Sequence, residues 1–349
     1  MRDGARDVLD DLASSAHVRA VVDAGGGWDA ALWQAMLDQG WAGVAVPESL
    51  GGLGLGTVEL IVLLEQIGRH AAPAPFASVV LAAGALLDAG RDDDVAALLG
   101  GEVACVAWSR RVDAVRAQPA GADWVLDGRP DPVLYAPSAT RAVVAAATAD
   151  GPALFWAVLG DEHRAAEPAM DRTRQLGWLQ FAATPAARLG DAPAVTALLD
   201  RGATYAAAEM LGGADRVLDM AVEYAKERVQ FARPIGSFQA VKHRCADMLV
   251  DVEGMRSSAY WAAWCLGADD RDRSIAASTA KIWCSDASKR VMASGLQVHG
   301  GIGFTWEHDL HLFLKRAQLD QVSFGDGPYH RERLAALLRP RVEAGESIL

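Results

Sequence analysis

The sequence lacks the features expected of a metalloprotein or a membrane protein. Its four cysteines, Cys105, Cys245, Cys265 and Cys284, form neither a CxxC pair nor another metal-ligand spacing. The longest apolar run, residues 79–87, is too short to span a bilayer. The acidic first fifteen residues contain no apolar segment of a signal peptide. We therefore expect a reduced cytoplasmic protein with no metal centre and no membrane partner.

An excess of positive charge is also missing. The 33 lysines and arginines are outnumbered by 45 acidic residues, which gives a net charge of −12 and a pI of about 5.1. This balance argues against a broad nucleic-acid-binding face, although a local arginine site for a phosphate group stays possible. With 349 residues and 51% hydrophobic residues, the chain is long and apolar enough for two or three globular domains.

Periodicity divides the chain into three zones. Residues 1–100 repeat apolar side chains at helical spacing, whereas residues 101–190 contain short β-prone runs separated by Gly, Pro and Asp clusters. Residues 191–349 return to helical spacing. We predict an α+β protein with an N-terminal α-helical domain, a middle antiparallel β domain of sandwich or barrel type, and a C-terminal four-helix bundle. The four C-terminal helices are expected at 196–228, 240–266, 274–296 and 331–338.

Two adjacent glycines interrupt the first long C-terminal helix. Glycine inside a helix costs roughly 1 kcal/mol relative to alanine, so Gly212 and Gly213 need a compensating reason. Close packing against a neighbouring helix or a ligand would supply one.

The most informative segment is ERVQFARPIGSFQAVKH at 227–243. Arg228 and Arg233 flank Phe231, and two guanidinium groups beside an aromatic ring suit a diphosphate attached to a flat ring system. From the residues alone, a solvated arginine pair with Phe231 in the core explains the pattern as well, and both interpretations stay open at this point.

A second segment, QVHGGIGFTWEHDLH at 297–311, contains three closely spaced glycines. Gly300, Gly301 and Gly303 follow a predicted helix and leave backbone amides open to a ligand. A dinucleotide-binding glycine motif would need a preceding strand, and none is predicted here. The segment also contains His299, His308 and His311. Their spacing fits no convincing metal site, so capping or structural roles are favoured.

Together, ERVQFARPIGSFQ and QVHGGIGFTWE resemble the acyl-CoA dehydrogenase family, which carries ERxQFGxPIGxFQ and QxHGGxGFTxE in its C-terminal domain. Ala232 stands where the family usually has glycine. The resemblance extends to WAGVAVPESLGGLGLG at 41–56 and to the order of helices, strands and helices. It therefore covers nearly the whole chain, most weakly in the middle.

The resemblance implies an FAD site shared between subunits. Arg228 and Phe231 would reach the FAD bound mainly by a neighbouring chain, with Gln239 nearby. The diphosphate would be lined from the opposite side by Gln297, Gly300 and Gly301.

The catalytic carboxylate of the family is missing from its usual place. The family desaturates an acyl-CoA thioester: a carboxylate takes the α-proton while the flavin takes the β-hydrogen as hydride. In most members the base is a Glu in a YEGT-like turn, which matches FGDGPYHR at 324–331 and puts Gly325 at the Glu position. Asp326, one residue along, is a weak candidate. Some relatives place the base early in the long helix, where this chain has Arg201-Gly-Ala, and Glu209 lies deeper in that helix.

The middle zone also departs from the family. The expected Thr-Glu-Pro and Gly-Ser-Asp segment, which contacts flavin and substrate, is replaced by VAWSRRVD at 106–113, and the zone looks shortened. The losses affect the half of the site that holds the flavin ring and the substrate, whereas the Arg228 element is retained. In this respect the chain resembles the shorter, base-lacking subunit of bacterial heteromeric acyl-CoA dehydrogenases of the steroid side-chain type.

Three functional hypotheses follow from these features. The chain is a half-site subunit in an α2β2 hetero-oligomer whose partner supplies the base. Alternatively, it is a self-sufficient homotetrameric or homodimeric acyl-CoA dehydrogenase that uses Asp326 or another base. In the third hypothesis, it is a flavin-free scaffold that retains the fold for assembly. The particular acyl-CoA is not predicted, although a bulky ring-bearing substrate agrees with the resemblance.

Overall fold

The computed structural model describes residues 1–111, 113–121 and 123–346. The N-terminal helices are α1 (Arg2–Leu12), α2 (Ser15–Asp23), α3 (Ala30–Asp38), α4 (Thr57–Arg69), α5 (Phe76–Asp88) and α6 (Asp92–Leu99). The strands that follow are β1 (Ala104–Ala107), β2 (Val115–Ala120), β3 (Asp123–Gly128), β4 (Val133–Leu134), β5 (Arg141–Thr148), β6 (Gly151–Val158), β7 (Arg164–Glu167), β8 (Leu176–Leu179) and β9 (Phe181–Gly190). The C-terminal elements are α7 (Ala192–Glu227), β10 (Val229–Gln230), β11 (Arg233–Pro234), α8 (Gln239–Gly267), α9 (Arg273–His299), α10 (Leu310–Val322) and α11 (Gly327–Glu343).

The predicted order of helices, strands and helices is confirmed. By compactness the chain forms two units: a helical unit of residues 1–18, 61–72 and the chain from Ala203 onward, and a sheet unit of residues 19–60 and 73–202. The domain boundaries at 100 and 190 stay a prediction. Within the described residues, no helix combines the length and apolar character needed to cross a membrane.

The sheet unit is built around a six-stranded sheet with the order β1-β5-β2-β3-β9-β6. Because β6 also pairs with β5, five of these strands close into a barrel and β1 lies outside it on β5. Most pairings are antiparallel as expected, whereas β1 and β2 run parallel to β5. Tyr135, Phe155 and Phe181 fill the interior, and the Tyr135 hydroxyl donates to the Ala74 carbonyl at 2.7 Å.

The helical unit depends on a direct backbone contact between α4 and α7. A Cβ atom built on Gly212 would lie 1.8 Å from the Glu65 carbonyl oxygen, and one built on Gly68 would lie 2.1 Å from the Glu209 carbonyl oxygen. Only glycine permits this approach. Close packing against a neighbouring helix therefore explains Gly212, as expected. A Cβ atom built on Gly213, in contrast, would lie no closer than 3.6 Å to a neighbouring atom.

Candidate functional site

The segment after α7 forms a tight hairpin. Its strands β10 and β11 pair Val229 with Pro234 and Gln230 with Arg233, which leaves Phe231 and Ala232 as a two-residue turn. Both turn residues have positive φ, 53° and 60°, as a type I′ turn requires. A left-handed alanine costs roughly 1 kcal/mol or more, so this turn holds strain at the position where the family usually has glycine.

The two arginines of the hairpin have different surroundings. The Arg233 guanidinium lies 4.1 Å from the ring centroid of Phe238, so Arg233 takes part in the hairpin's own packing. Arg228 is exposed, and its guanidinium has no hydrogen bond or ion pair with the described residues. Phe231 is 88% exposed, and its ring centroid lies 6.0 Å from that of Phe238 in an edge-to-face arrangement. Arg228 and Phe231 therefore present a cation and an aromatic face to the exterior, and the alternative with Phe231 in the core is wrong.

The glycine segment follows α9 directly. Gly300 has a φ of 61°, and a Cβ atom on Gly300 or Gly301 would meet nothing within 4 Å. The backbone at these two glycines is thus open to a ligand. Gly303, in contrast, is buried, and its Cβ position lies 3.0 Å from the Cβ atom of His299. Gln297 is exposed near the end of α9.

The hairpin and the glycine segment meet at their bases. The Tyr224 ring stacks on the His299 ring with centroids 4.8 Å apart, and the Arg228 amide donates to the Tyr224 carbonyl at 2.9 Å. Because His299 immediately precedes Gly300, the stack fixes one motif beside the other. Gln239 is exposed at the first position of α8.

These residues fit a diphosphate-bearing cofactor with a flat ring. An exposed guanidinium forms charge-assisted hydrogen bonds to phosphate, open glycine amides add neutral donors, and an exposed ring stacks on a planar group. The histidines of the segment pack instead with rings: His299 with Tyr224 and His308, and His311 with Trp306. Burial lowers the pKa of His299. No cluster of three potential metal ligands exists among the described residues.

The turn at the family's base position has no room for a side chain. Gly325 has a φ of 92°, and a Cβ atom there would lie 2.4 Å from Tyr329 Cδ1 and 3.1 Å from His330 Nε2. Asp326 is the N-cap of α11, where its Oδ1 accepts a hydrogen bond from the Tyr329 amide at 2.9 Å. The carboxylate next to Gly325 therefore has a structural role in the turn.

A buried polar cluster holds this turn from beneath. The Phe324 carbonyl accepts from His330 Nε2 at 2.8 Å, so the Nδ1 atom, 3.3 Å from Ser278 Oγ, is the acceptor. Burial lowers the pKa of His330 to about 4. On α9, Lys281 donates from Nζ to the carbonyl oxygens of Asp320 and Gln321 at 2.8 and 2.9 Å, and burial lowers its pKa to about 7. Lys281 thus caps the C-terminal end of α10. No sequence motif singles out Lys281 or His330.

The alternative base position is occupied by a cation. Arg201 forms a bidentate ion pair with Asp88 at 2.6 and 3.0 Å, so this end of α7 presents a guanidinium where some relatives have a carboxylate. Glu209 is buried in α7, where its backbone contacts α4. The departing segment at 106–113 begins at the end of β1, and Val112 within it lies outside the described residues.

Two domain families match the chain: "Acyl-CoA dehydrogenase, C-terminal domain" over residues 192–338 and "Acyl-CoA dehydrogenase, N-terminal domain" over residues 1–101. Acyl-CoA dehydrogenase IpdE2 of Mycolicibacterium smegmatis is 34% identical over 338 residues, which cover 96% of this chain and 97% of the relative. Acyl-CoA dehydrogenase FadE27 of Mycobacterium tuberculosis is 34% identical over 91% of this chain and 90% of its own.

Solved structures give the same result. The ChsE4-ChsE5 complex from Mycobacterium tuberculosis contains a chain with a TM-score of 0.91 and 31% identity, which covers 97% of this chain and 96% of its own. A variant of the Tcur3481-Tcur3483 steroid ACAD has a TM-score of 0.91 and 31% identity over 98% of this chain and 97% of its own.

Proposed function

The chain belongs to the acyl-CoA dehydrogenase family, and we propose that it is the subunit of a hetero-oligomer that completes a shared FAD site without supplying the catalytic base. Members of the family are FAD-dependent oxidoreductases that act on a CH–CH bond of an acyl-CoA. FAD, when bound, supplies the hydride acceptor for the β-hydrogen. In this proposal the carboxylate that takes the α-proton comes from the partner subunit.

The observation that carries the proposal is the geometry at Gly325. A base has to reach the α-proton of the substrate within hydrogen-bond distance. Here the Cβ position is blocked by Tyr329 and His330, and the positive φ disfavours any side chain. Asp326 caps α11, and Arg201 pairs with Asp88 at the second family position. These contacts support a chain without its own base.

The cofactor-binding residues of the proposal are on the exposed side of the helical unit. Arg228 would bind the diphosphate, Phe231 would pack against a flat ring of FAD, and the amides of Gly300 and Gly301 would donate to phosphate oxygens. Gln239 and Gln297, both exposed, would add side-chain hydrogen bonds at the edge of this site. In this proposal the cofactor is held mainly by the neighbouring subunit.

A partner subunit is further supported by large apolar side chains that the isolated chain leaves exposed. They occur in the two cofactor segments and on α8 and α9: Val229, Phe231, Leu249, Val250, Trp261, Trp264, Trp283, Ile302, Phe304 and Trp306. Exposed aromatic and aliphatic side chains in such number are typical of subunit interfaces. The ChsE4-ChsE5 complex, whose structure includes a similar chain, is a precedent for a complex of two different chains, and we extend it here to an α2β2 assembly with a catalytic acyl-CoA dehydrogenase.

The substrate class is proposed from the relatives. The Tcur3481-Tcur3483 protein is described as a steroid ACAD, and we extend that class, a bulky ring-bearing acyl-CoA, to the assembly that contains this chain.

Flavin content tests the shared site. The chain is purified alone and after co-expression with a catalytic acyl-CoA dehydrogenase encoded next to it, and FAD is measured by its visible absorbance. We expect FAD only in the co-expressed complex. Replacement Arg228→Ala should weaken FAD affinity of the complex roughly ten- to a hundredfold, because a charge-assisted hydrogen bond contributes roughly 1.5–3 kcal/mol. Arg271→Ala, which removes an equally charged side chain that is 74% exposed, is the matched control.

A second pair of variants locates the base. Asp326→Asn retains an N-cap residue while removing the carboxylate, so the complex should keep its dehydrogenase activity. A Glu→Gln change in the YEGT-like turn of the partner should abolish it. A chain that is yellow and active alone, and that loses activity in Asp326→Asn, would contradict the proposal and establish the self-sufficient enzyme. Unchanged FAD content in Arg228→Ala would indicate the scaffold.

A further inference from the structure

A cavity of about 420 Å³ lies in the helical unit, apart from the candidate FAD site. It is open to the exterior on one side and is lined by residues of α1, the start of α2, the end of α4, α7 and α10. Its α7 wall includes Arg216, about three turns and roughly 18 Å before Arg228 along the helix axis. The volume is within the range of small-molecule sites and equals that of about 14 water molecules.

One wall of the cavity is basic. Arg69 is already neutralised by Asp215 at 2.6 Å and Asp219 at 2.5 Å. Arg6 donates from Nε to the neutral Gln66 side chain at 3.2 Å and has no carboxylate partner among the described residues. Arg216 lines the cavity, and its guanidinium has no hydrogen bond or ion pair with the described part of the chain. Two arginines of the lining, Arg6 and Arg216, thus have no carboxylate partner among the described residues.

The cavity also contains two carboxylates. Asp10 lies 2.9 Å from His70 Nε2, whose other ring nitrogen lies 2.7 Å from the Gln66 carbonyl oxygen. Asp309 is the N-cap residue of α10 and has a partner of its own. Neither carboxylate forms an ion pair with Arg6 or Arg216, so both guanidinium groups stay available to an anionic ligand.

The rest of the lining is a mixture of apolar and small polar residues. They are Ala13, Ser14, Ser15, Val18, Ala71, Met220, Leu312 and Phe313. Val18, Leu312 and Phe313 are almost fully buried, so only a small part of each reaches the cavity, whereas Met220 is partly exposed. A site with a few convergent polar groups on an otherwise apolar lining is the usual form of a ligand pocket.

We infer that this cavity binds a small amphipathic oxyanion: a carboxylate or phosphate head on a short apolar body. The head is bound by Arg216 and Arg6, because guanidinium groups bind both kinds of oxyanion bidentately. The short apolar body packs on Met220, a partly exposed apolar side chain of the lining, above the buried Leu312 and Phe313. The ligand is independent of the FAD proposed above, since it uses none of the residues assigned to that cofactor.

Calorimetric titration of the full chain tests the inference with four probes: hexanoate, hexyl phosphate, hexanol and inorganic phosphate. Hexanoate or hexyl phosphate should bind saturably with one site per chain, and whichever binds more tightly identifies the head group. Arg216→Gln should weaken that binding at least about tenfold, whereas Arg271→Gln, with the same change in net charge at a residue outside the lining, should leave it unchanged. Circular dichroism melting establishes that both variants are folded.

Filling the cavity gives a second test that keeps all its charges. Ser15 is exposed at the edge of the cavity, and Ser15→Trp should reduce binding by occupying the apolar part. Absence of saturable binding by both hexyl probes, or equal affinity in wild type and Arg216→Gln, would overturn the inference. Hexanol binding as tightly as hexanoate would refute the oxyanion site, and inorganic phosphate binding as tightly as hexyl phosphate would refute the apolar one.

Discussion

Two neighbouring glycines in α7 should respond oppositely to the same substitution. In Gly212→Ala the new methyl group would lie 1.8 Å from the Glu65 carbonyl oxygen and 2.7 Å from the Arg69 amide nitrogen. Both neighbours are backbone atoms of α4, so neither helix can relieve the contact by a rotamer change. In Gly213→Ala the nearest atoms are the Gly68 carbonyl oxygen at 3.6 Å and Phe313 at 3.7 Å, which is ordinary van der Waals contact.

The magnitudes follow from these distances. Alanine in place of helical glycine gains roughly 1 kcal/mol in either variant. At position 213 nothing opposes the gain, so Gly213→Ala should be neutral or stabilising by up to about 1 kcal/mol. At position 212 the helices have to separate by more than 1 Å, as an estimate from the contact distances, and overpacking of this kind costs about 3 kcal/mol or more. The two variants should therefore differ by roughly 3 kcal/mol.

Chemical unfolding followed by far-ultraviolet circular dichroism measures this difference directly. The transition of Gly212→Ala should move to lower urea concentration, and that of Gly213→Ala should stay in place or move higher. If Gly213→Ala destabilises the chain as much as Gly212→Ala, the close contact with α4 is not the reason for glycine at position 212. An unchanged transition in Gly212→Ala would refute the close contact itself.

Three further predictions concern the hairpin and the base turn. Ala232→Gly should relieve the left-handed strain and stabilise the hairpin by roughly 0.5–1 kcal/mol, seen as slower hydrogen exchange of the hairpin amides. Gly325→Ala should destabilise the chain by roughly 1–3 kcal/mol in urea unfolding, because the φ of 92° at this position and the ring of Tyr329 both oppose a methyl group. For the same reason, Gly325→Glu should give the isolated chain no activity in a dehydrogenase assay. Burial lowers the pKa of His330 to about 4 in the folded chain, whereas an exposed histidine in the unfolded chain has a pKa of 6.5. Between pH 4 and 6.5 the unfolded chain therefore binds more protons at this residue than the folded chain does. The free energy of unfolding should fall as pH drops from 6.5 to 4, by on the order of 3 kcal/mol from this group, and urea unfolding of His330→Asn should lack that part of the slope.

Local sequence patterns predicted the order of the helical, β and helical zones. Helical spacing predicted the long C-terminal helices, and the glycine motif predicted a segment with open backbone after one of them, whereas the hairpin at 229–234 was not predicted. Helix α10 was not predicted, although Leu310, Phe313 and Ala317 recur on one face and are buried. The parallel pairing of β1 with β5 was also not predicted, because the pairing of strands distant in sequence depends on how the whole barrel assembles.

The least predictable residues are the buried polar ones. Lys281 and His330 read as ordinary surface residues, and only the assembled helices bring carbonyl groups of α10 and of the turn to them. The same limit applies to the two arginines of the hairpin. The residue pattern alone does not distinguish them, whereas in the structure the Arg233 guanidinium lies over the Phe238 ring.

The exposed hairpin is the strongest reason to seek the function of this chain in an assembly. Within the isolated chain, Phe231 has a φ of 53° and is 88% exposed, beside a left-handed Ala232. Strain of roughly 1–3 kcal/mol at each such residue, together with an unburied aromatic ring, brings no stability to the chain itself. A bound group or a partner that covers Phe231 offsets that cost. The base turn shows the reverse: the Asp326 carboxylate accepts from the Tyr329 amide and the His330 ring bonds the Phe324 carbonyl, so both polar side chains have partners within the turn. One site is built for contact with something outside the chain, and the other is closed, which is the asymmetry that a half-site subunit requires.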